Sequence, residues 1–515
     1  MKRSLLLASV FVALLCAACS GGGSAPPPPP PVGQFSVSSL NGQYAFSMSG
    51  SAINTGFFAR AGTFTANGSG MITGGVEDVN LQGVTTRFAF SSGSTYTINA
   101  DGRGILNLTN STGTLQFSIT LTSTNSGLII AIPTDGSSTA SGTFVKQNTA
   151  AFSLAGIANK YAFDFSGLDP NGVPESIVGH LNADGAGSFL ADSVADDNDG
   201  GFATPPAGPS SLAGSTYAID SLNQGDLAAF GRGVIDIAGI TGVFYIVDQT
   251  RFYFVEAGSG GILVGSAAQQ IAVPTSINGI SGGFVFVMGG ATSSGPFVRG
   301  GRFSTSGGAL SGILIDQNSA GSTNSFPNPS GATSGTYTID AAGTGRGVAT
   351  FTLAGAGSGA FTFVFYLRSP TGGFIQDQSW NIVSDGTLLG QPSTAISNSS
   401  LAGNYAFSWS GLTSSSGNAD EEDIVGQLKL NNGSFTGTAD LNEFSALKQF
   451  LAFGVNGTLA LNGDGTGHNT FTISLQTSPA TNNIPFFAYV GQNNTILLLS
   501  TQSQRVVAGV LNPQP

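Results

Sequence analysis

The side chains best suited to chemistry recur as a triplet, Asp-x-Asn, at Asp78/Asn80, Asp196/Asn198, Asp316/Asn318 and Asp440/Asn442. Residues two apart on a strand point the same way, so each triplet offers two hard oxygens of the kind calcium takes. A calcium loop brings further acids within a few residues; only the second copy does so, with Asp192, Asp197 and Asp199 around Asp196. The plainer reading, preferred in every copy, is that Asp and Asn cap a strand exit by accepting neighbouring backbone N–H groups. A second motif, Gly-Arg-Gly, centres on Arg103, Arg232 and Arg346, with Gly465-Thr466-Gly467 in its place in the fourth copy. Such an arginine could hold an anion, but an exposed hairpin tip or a seat over an aromatic ring is the commoner use and is preferred here. The two histidines, His180 and His468, fall at different positions of different copies, so no Ser-His-Asp or histidine–metal set can recur. Each reads as a surface or strand residue. A carboxylate pair for hydrolysis could come from Glu175 with Asp192, or from Asp420-Glu421-Glu422-Asp423, a run that reads as a solvated loop between strands. Trp380 and Trp409 are the only tryptophans, too few for a sugar-stacking surface, and Trp409 falls on an inward position. The sequence therefore offers no catalytic set, no cofactor site and no metal site.

The elements that carry these motifs repeat. Strands with large residues at alternate positions run Tyr44-Phe46-Met48, Tyr161-Phe163-Phe165, Phe284-Phe286-Met288 and Tyr405-Phe407-Trp409, about 120 residues apart. Period-two alternation buries one face of a strand. Gly-rich hairpin signals follow at Asn67-Gly68-Ser69-Gly70 and Asp184-Gly185-Ala186-Gly187, weakened to Ser306-Gly307-Gly308 and Asn432-Gly433. A single glycine marks each closing strand, at Gly142, Gly265, Gly390 and Gly509. In the third copy eight short strands are expected near 282–289, 298–305, 310–316, 335–340, 347–353, 360–367, 373–378 and 386–391. No long crossovers separate them, so pairing should be antiparallel. The expected fold is all-β: four tandem antiparallel units of about eight strands, as up-and-down barrels, with two-sheet sandwiches as the alternative. In strand count and order the unit resembles the lipocalin barrels, although their Gly-x-Trp signature is absent. The sixth strands, such as Gly242–Val247 and Phe361–Tyr366, are apolar on both faces, which predicts packing of each unit against a neighbour.

Composition excludes several partners. The net charge is −12, and only 9% of residues are charged, with no basic stripe. An acidic chain of this kind is not expected to bind nucleic acid. Both cysteines, Cys16 and Cys19, lie at the N-terminus, so no disulfide or cysteine-ligated metal is expected in the remainder. Lys2-Arg3, an apolar run from Leu5 to Cys16, and Ala17-Ala18 before Cys19 form a signal segment too short to span a bilayer. This segment resembles a bacterial lipoprotein signal, with Cys16 where that family usually has Leu. The resemblance implies lipid attachment at Cys19 and, because Ser20 follows, passage to the outer membrane. Ser20 to Gly33, with its proline run, then reads as a tether about 45–50 Å long when extended.

The expected organisation is a signal over 1–18, an anchor and tether over 19–36, and β repeats over 37–149, 150–274, 275–394 and 395–515. The repeats resemble those of uncharacterised secreted bacterial proteins, which implies export and names no activity. The function expected is a non-enzymatic, lipid-anchored envelope scaffold that binds protein or polysaccharide and meets the membrane through its lipid. Carriage of small apolar ligands inside the barrels is the alternative, and a carboxylate-dependent hydrolase a third. Oligomeric state is not set by the sequence.

Overall fold

Alternation decides which way each first strand faces. Tyr44, Phe46 and Met48 turn inward and are buried, while Ala45, Ser47 and Ser49 turn outward. The structure is a computed structural model and describes residues 34–515 apart from 54, 201–207, 221–226, 259, 327–333, 353–359, 415–418, 445–447, 464–467 and 478–479. Cys16, Cys19, the signal, the tether up to Gly33, and Thr466 lie outside the described residues.

Among the described residues nearly all regular structure is β, with helix confined to short 3₁₀ turns. The strands form four antiparallel sheets in up-and-down order, and in each the first strand pairs with the last, as Tyr44 with Lys146 and Tyr405 with Pro513. The fourth sheet is a closed eight-stranded barrel. The third also closes, through Ala309–Thr336 and Leu310–Gly335. In the first and second, one seam stays open apart from the single bridges Met71–Thr95 and Ser188–Thr216. Where eight strands were expected in the third unit the described residues form nine: polar, exposed Ser322–Phe326 pairs outward on its neighbour.

The units share one register. Met48, Phe165, Met288 and Trp409 stand opposite Arg60, Ile177, Arg299 and Ile424 on the second strand. On the last strand the same four stand opposite Gly142, Gly265, Gly386 and Gly509. The third copy's marker is thus Gly386 rather than Gly390. A Cβ at Gly142 would lie 1.9 Å from the Ser47 carbonyl oxygen, so only glycine fits there.

Each barrel is filled by its own side chains. The fourth holds Tyr405, Phe407, Trp409, Phe471 and Phe486, and the other three have comparable aromatic cores. The gap left inside the second, among Ile157, Tyr161, Phe189 and Tyr217, has no room for a water molecule. Four further apolar clusters lie between barrels. They join first to second (Ala45, Ala61, Val76 with Tyr245, Val255, Val264) and second to third (Ala162, Val178 with Val364, Tyr366). They also join third to fourth (Val285, Val298 with Tyr489, Leu499) and fourth to first (Ala406, Val425 with Leu128, Ile130). The doubly apolar sixth strands supply much of this second layer at the first three seams. Leu128 and Ile130 of the strand Ser126–Ala131 supply it at the fourth, and the four barrels close into a ring.

Filled barrels lead to a direct expectation. The chain from Gln34 onward, incubated with long-chain fatty acids and weighed by native mass spectrometry, should return its bare mass. A stoichiometric adduct released on denaturation would show a hollow barrel instead.

Candidate functional site

The Asp-x-Asn triplets sit on the third strand of each unit with both side chains outward, against the next barrel. Each asparagine donates both amide hydrogens to a hairpin of that neighbour. Asn80 reaches the carbonyls of Glu256 and Gly261 at 2.8 Å each, and Asn198 those of Asp377 (2.6 Å) and Ile382 (2.7 Å). Asn318 reaches Ser500 and Arg505 at 3.0 Å, and Asn442 reaches Ala131 (2.8 Å) and Ser138 (2.9 Å), carrying the pattern from the fourth unit to the first.

The aspartates take the other half of the contact. Asp78 accepts Arg232 Nε at 2.7 Å and Nη2 at 2.9 Å, together with the Tyr245 hydroxyl. Asp196 accepts Arg346 Nε (2.6 Å) and Nη2 (2.7 Å) and the Tyr366 hydroxyl (2.7 Å). Asp316 accepts the Tyr489 hydroxyl, and the register position that carries arginine in its sister units is His468. At the last seam Asp440 accepts Ser118 Oγ at 2.6 Å, with Arg103 Nη1 3.6 Å away. Burial and the adjacent carboxylate push Tyr245, Tyr366 and Tyr489 well above the usual phenol range, which keeps them neutral donors.

Two expectations change here. The triplets direct their side chains to the neighbouring barrel, and Asn318 alone among the described contacts also caps its own strand exit, accepting the Gly321 N–H at 3.0 Å. The Gly-Arg-Gly arginines are not exposed tips. The two motifs are halves of one lock between neighbouring barrels. A third component was missed: Gln147, Gln270 and Gln514 close their units by donating to two carbonyls of the next. Gln514 reaches Asp101 and Leu121 of the first unit, so the fourth barrel docks on the first as the others dock in sequence. Their separations, 123 residues and then 244, or about one repeat and then two, were the available signal.

The remaining candidates separate. Glu175 and Asp192 lie at opposite ends of the strand Pro174–Asn182: Glu175 pairs with Asp199, whereas Asp192 meets Lys160, Asn182 and His180. At ~3.3 Å per residue this is over 20 Å, so no hydrolytic pair forms. His180 is buried on that strand with Nδ1 2.6 Å from Gln270 Oε1, and burial lowers its pKa. The acids 420–423 are not a solvated loop but part of the strand Ala419–Asn431, and all four are buried. Glu422 points inward to Trp409 Nε1 (2.8 Å) and Arg505 Nε (2.8 Å); Asp423 points outward and accepts Thr139 Oγ1 of the first unit at 2.5 Å. Trp409 is core, whereas Trp380 is 67% exposed.

The outward faces of the first and last strands line space between the barrels that is part polar and part apolar. A cavity of about 540 Å³ lies among Ser141, Thr143, Asp385 and Ser410 on one hand and Leu389, Leu497 and Val510 on the other. Asp385 of the third unit meets Asp164 of the second there; burial first, then the mutual repulsion, raises Asp164 well above the carboxylate range, and Asp385 is raised by burial. Burial also raises Glu421, lifts Asp423 to about 6 and Asp197 to about 6, and carries Glu175 to about 8.

No protein-family model matches the chain, and no curated protein sequence does. Among solved structures it is similar to transferrin binding protein B of Neisseria meningitidis (8% identity, 85% of this chain and 73% of that one, TM-score 0.16). A variant of transferrin binding protein B from Haemophilus parasuis gives 10%, 91%, 75% and 0.19, and an AttH protein of Nitrosomonas europaea 10%, 72%, 97% and 0.15. Likeness at this level carries no argument about what the chain binds.

The lock can be tested by a double-mutant cycle. Arg346→Ala leaves Asp196 buried without its cation and should cost about 3 kcal/mol in urea unfolding. Combined with Asp196→Ala it should cost less than the two single changes summed; strict additivity would mean that the pair is not coupled. The raised carboxyls give a second expectation. A raised folded-state pKa means that the folded chain holds protons the unfolded chain has lost, so stability falls as pH rises from about 4 through about 8. The urea midpoint should be higher at pH 5 than at pH 8.5, and a midpoint that rises with pH would contradict this placement of the acids.

Proposed function

We propose that the chain is a lipid-anchored binding scaffold of the bacterial cell envelope, attached to the outer membrane through acylated Cys19. The observation that supports this most is the use of its recurrent charged motifs. Asp-x-Asn and Gly-Arg-Gly, the residues best suited to repeated chemistry, join barrel to barrel, and the barrel interiors are occupied by aromatic side chains. What such a ring offers a partner is a firm base for hairpin loops, the part of a β scaffold that tolerates variation. Exposed Trp380, on the hairpin between two strands of the third unit, is one such loop residue. A protein or a polysaccharide is the partner class that fits. Carriage of apolar ligands has no room inside the second barrel.

Metabolic labelling with an alkyne palmitate analogue tests the anchor. The wild-type chain should take the label and sediment with outer membranes, whereas Cys19→Ala should lose both properties. Photo-crosslinking from position 380 on intact cells tests the scaffold and should trap a protein or polysaccharide; label retained by Cys19→Ala would overturn the anchor.

A further inference from the structure

Three of the four barrels close one end of the interior with an arginine against an acid. In the first, Arg60 meets Glu77 at 3.3 Å over the Phe58 ring. In the third, fully buried Arg299 pairs with Asp377, donates to Gln317 Oε1 at 2.8 Å, and lies over Phe297 and Phe361. In the fourth, Arg505 grips Glu422 with two bonds of 2.8 and 2.7 Å.

The second barrel has the acids of both the third and fourth without either arginine. Glu175 stands at the register position of Glu422, opposite Gly167 as Glu422 is opposite Gly411. Glu256 takes the position of Asp377, as the locks show: Asn80 bonds the carbonyl of one and Asn198 that of the other. Asp197 takes the position of Gln317 and Asp199 that of Glu443. The position of Arg299 is Ile177, and that of Arg505 is Gly261, whose carbonyl receives Asn80 as the Arg505 carbonyl receives Asn318. Four carboxylates therefore gather where neither sister arginine has a counterpart; Glu256 accepts the Leu263 N–H at 3.0 Å and Asp199 has a contact of its own, so the open pair is Glu175 and Asp197. Glu175 is 9% exposed, and its carboxylate has neither a hydrogen-bond donor nor an ion-pair partner among the described residues. Asp197 Oδ1 is also buried and unbonded.

We infer that the mouth of the second barrel binds an external guanidinium group on Glu175 and Asp197, where sister barrels seat their own arginines. Glu175 and Asp197 are buried carboxyls, a costly placement for a charge, and both are shifted upward by burial. A planar guanidinium supplies five donors matched to paired carboxylates, as Arg505 does on Glu422. A metal fits less well, because no three acidic groups among the described residues converge at ligand distance. The guanidinium can come from a free small molecule or from an arginine on a partner protein. This inference does not depend on the lipid anchor.

Titration calorimetry of the full chain with ethylguanidinium, with the peptide acetyl-Gly-Arg-Gly-amide, and with calcium chloride tests it. Saturable one-to-one guanidinium binding is expected, with heat that varies with the buffer because binding expels protons from the acids at neutral pH. Peptide affinity more than tenfold above ethylguanidinium would identify a protein side chain as the source; equal or weaker affinity would identify a small molecule. Glu175→Gln and Asp197→Asn should each weaken binding at least tenfold, and Ile177→Arg, which installs an internal guanidinium, should abolish it. No saturable binding, unchanged affinity in both acid variants, or calcium binding that guanidinium cannot displace would overturn the inference.

Discussion

A buried aspartate that accepts hydrogen bonds from the neighbouring barrel is the contact on which the rest of the structure depends. An ionised carboxylate inside an apolar seam is tolerated only with its lone pairs matched, and Asp78 and Asp196 each have an arginine fork and a tyrosine hydroxyl to match them. The asparagine two residues on has the complementary role, capping carbonyls that a hairpin of the next barrel leaves without a donor. The lock is directional, each unit giving Asp and Asn from its third strand and receiving on its fifth and sixth strands and its last hairpin. A directional contact repeated with constant rotation either spirals or closes, and the bonds from Asn442 and Gln514 to the first unit show that it closes.

Low charge follows from this arrangement. Sixteen basic residues serve 515 positions, and several of the arginines are internal: Arg232 and Arg346 at seams, Arg60, Arg299 and Arg505 inside barrels. The acids outnumber them, so some buried carboxyls have no cation. Asp164 and Asp385 then share protons across the space between the second and third units. Cohesion of the ring is thus tied to pH through groups that are not at its strongest contacts.

Much of this was legible in the sequence. Alternating aromatics marked strand, face and period, because packing one side of a sheet leaves a local pattern of period two. The apolar sixth strands disclosed a second buried face for the same reason. The partners across the seams were not legible: Arg232 is 154 residues from Asp78, and Arg346 is 150 from Asp196, so each motif was read alone as a local turn device. The acids 420–423 were misplaced in a loop because buried strands seldom carry four carboxyls. The partners that make such a strand possible, Thr139 and Arg505, lie on other strands. The exposed strand Ser322–Phe326 carries no hydrophobic alternation and therefore left no signal.

The four copies differ least at the seams and most at the barrel mouths. Asp and Asn recur at every seam, yet the inward residue at the shared register position runs Phe58, Glu175, Phe297 and Glu422. A seam residue is constrained twice, by its own barrel and by its neighbour, since changing one half of a lock strands the other half in a buried site. A mouth residue answers only to its own interior, where an arginine can be traded for an isoleucine if the acids around it find another cation or a proton. Divergence among fused copies should therefore collect at the mouths, and any difference in what the four barrels do should be sought there rather than in the shared frame.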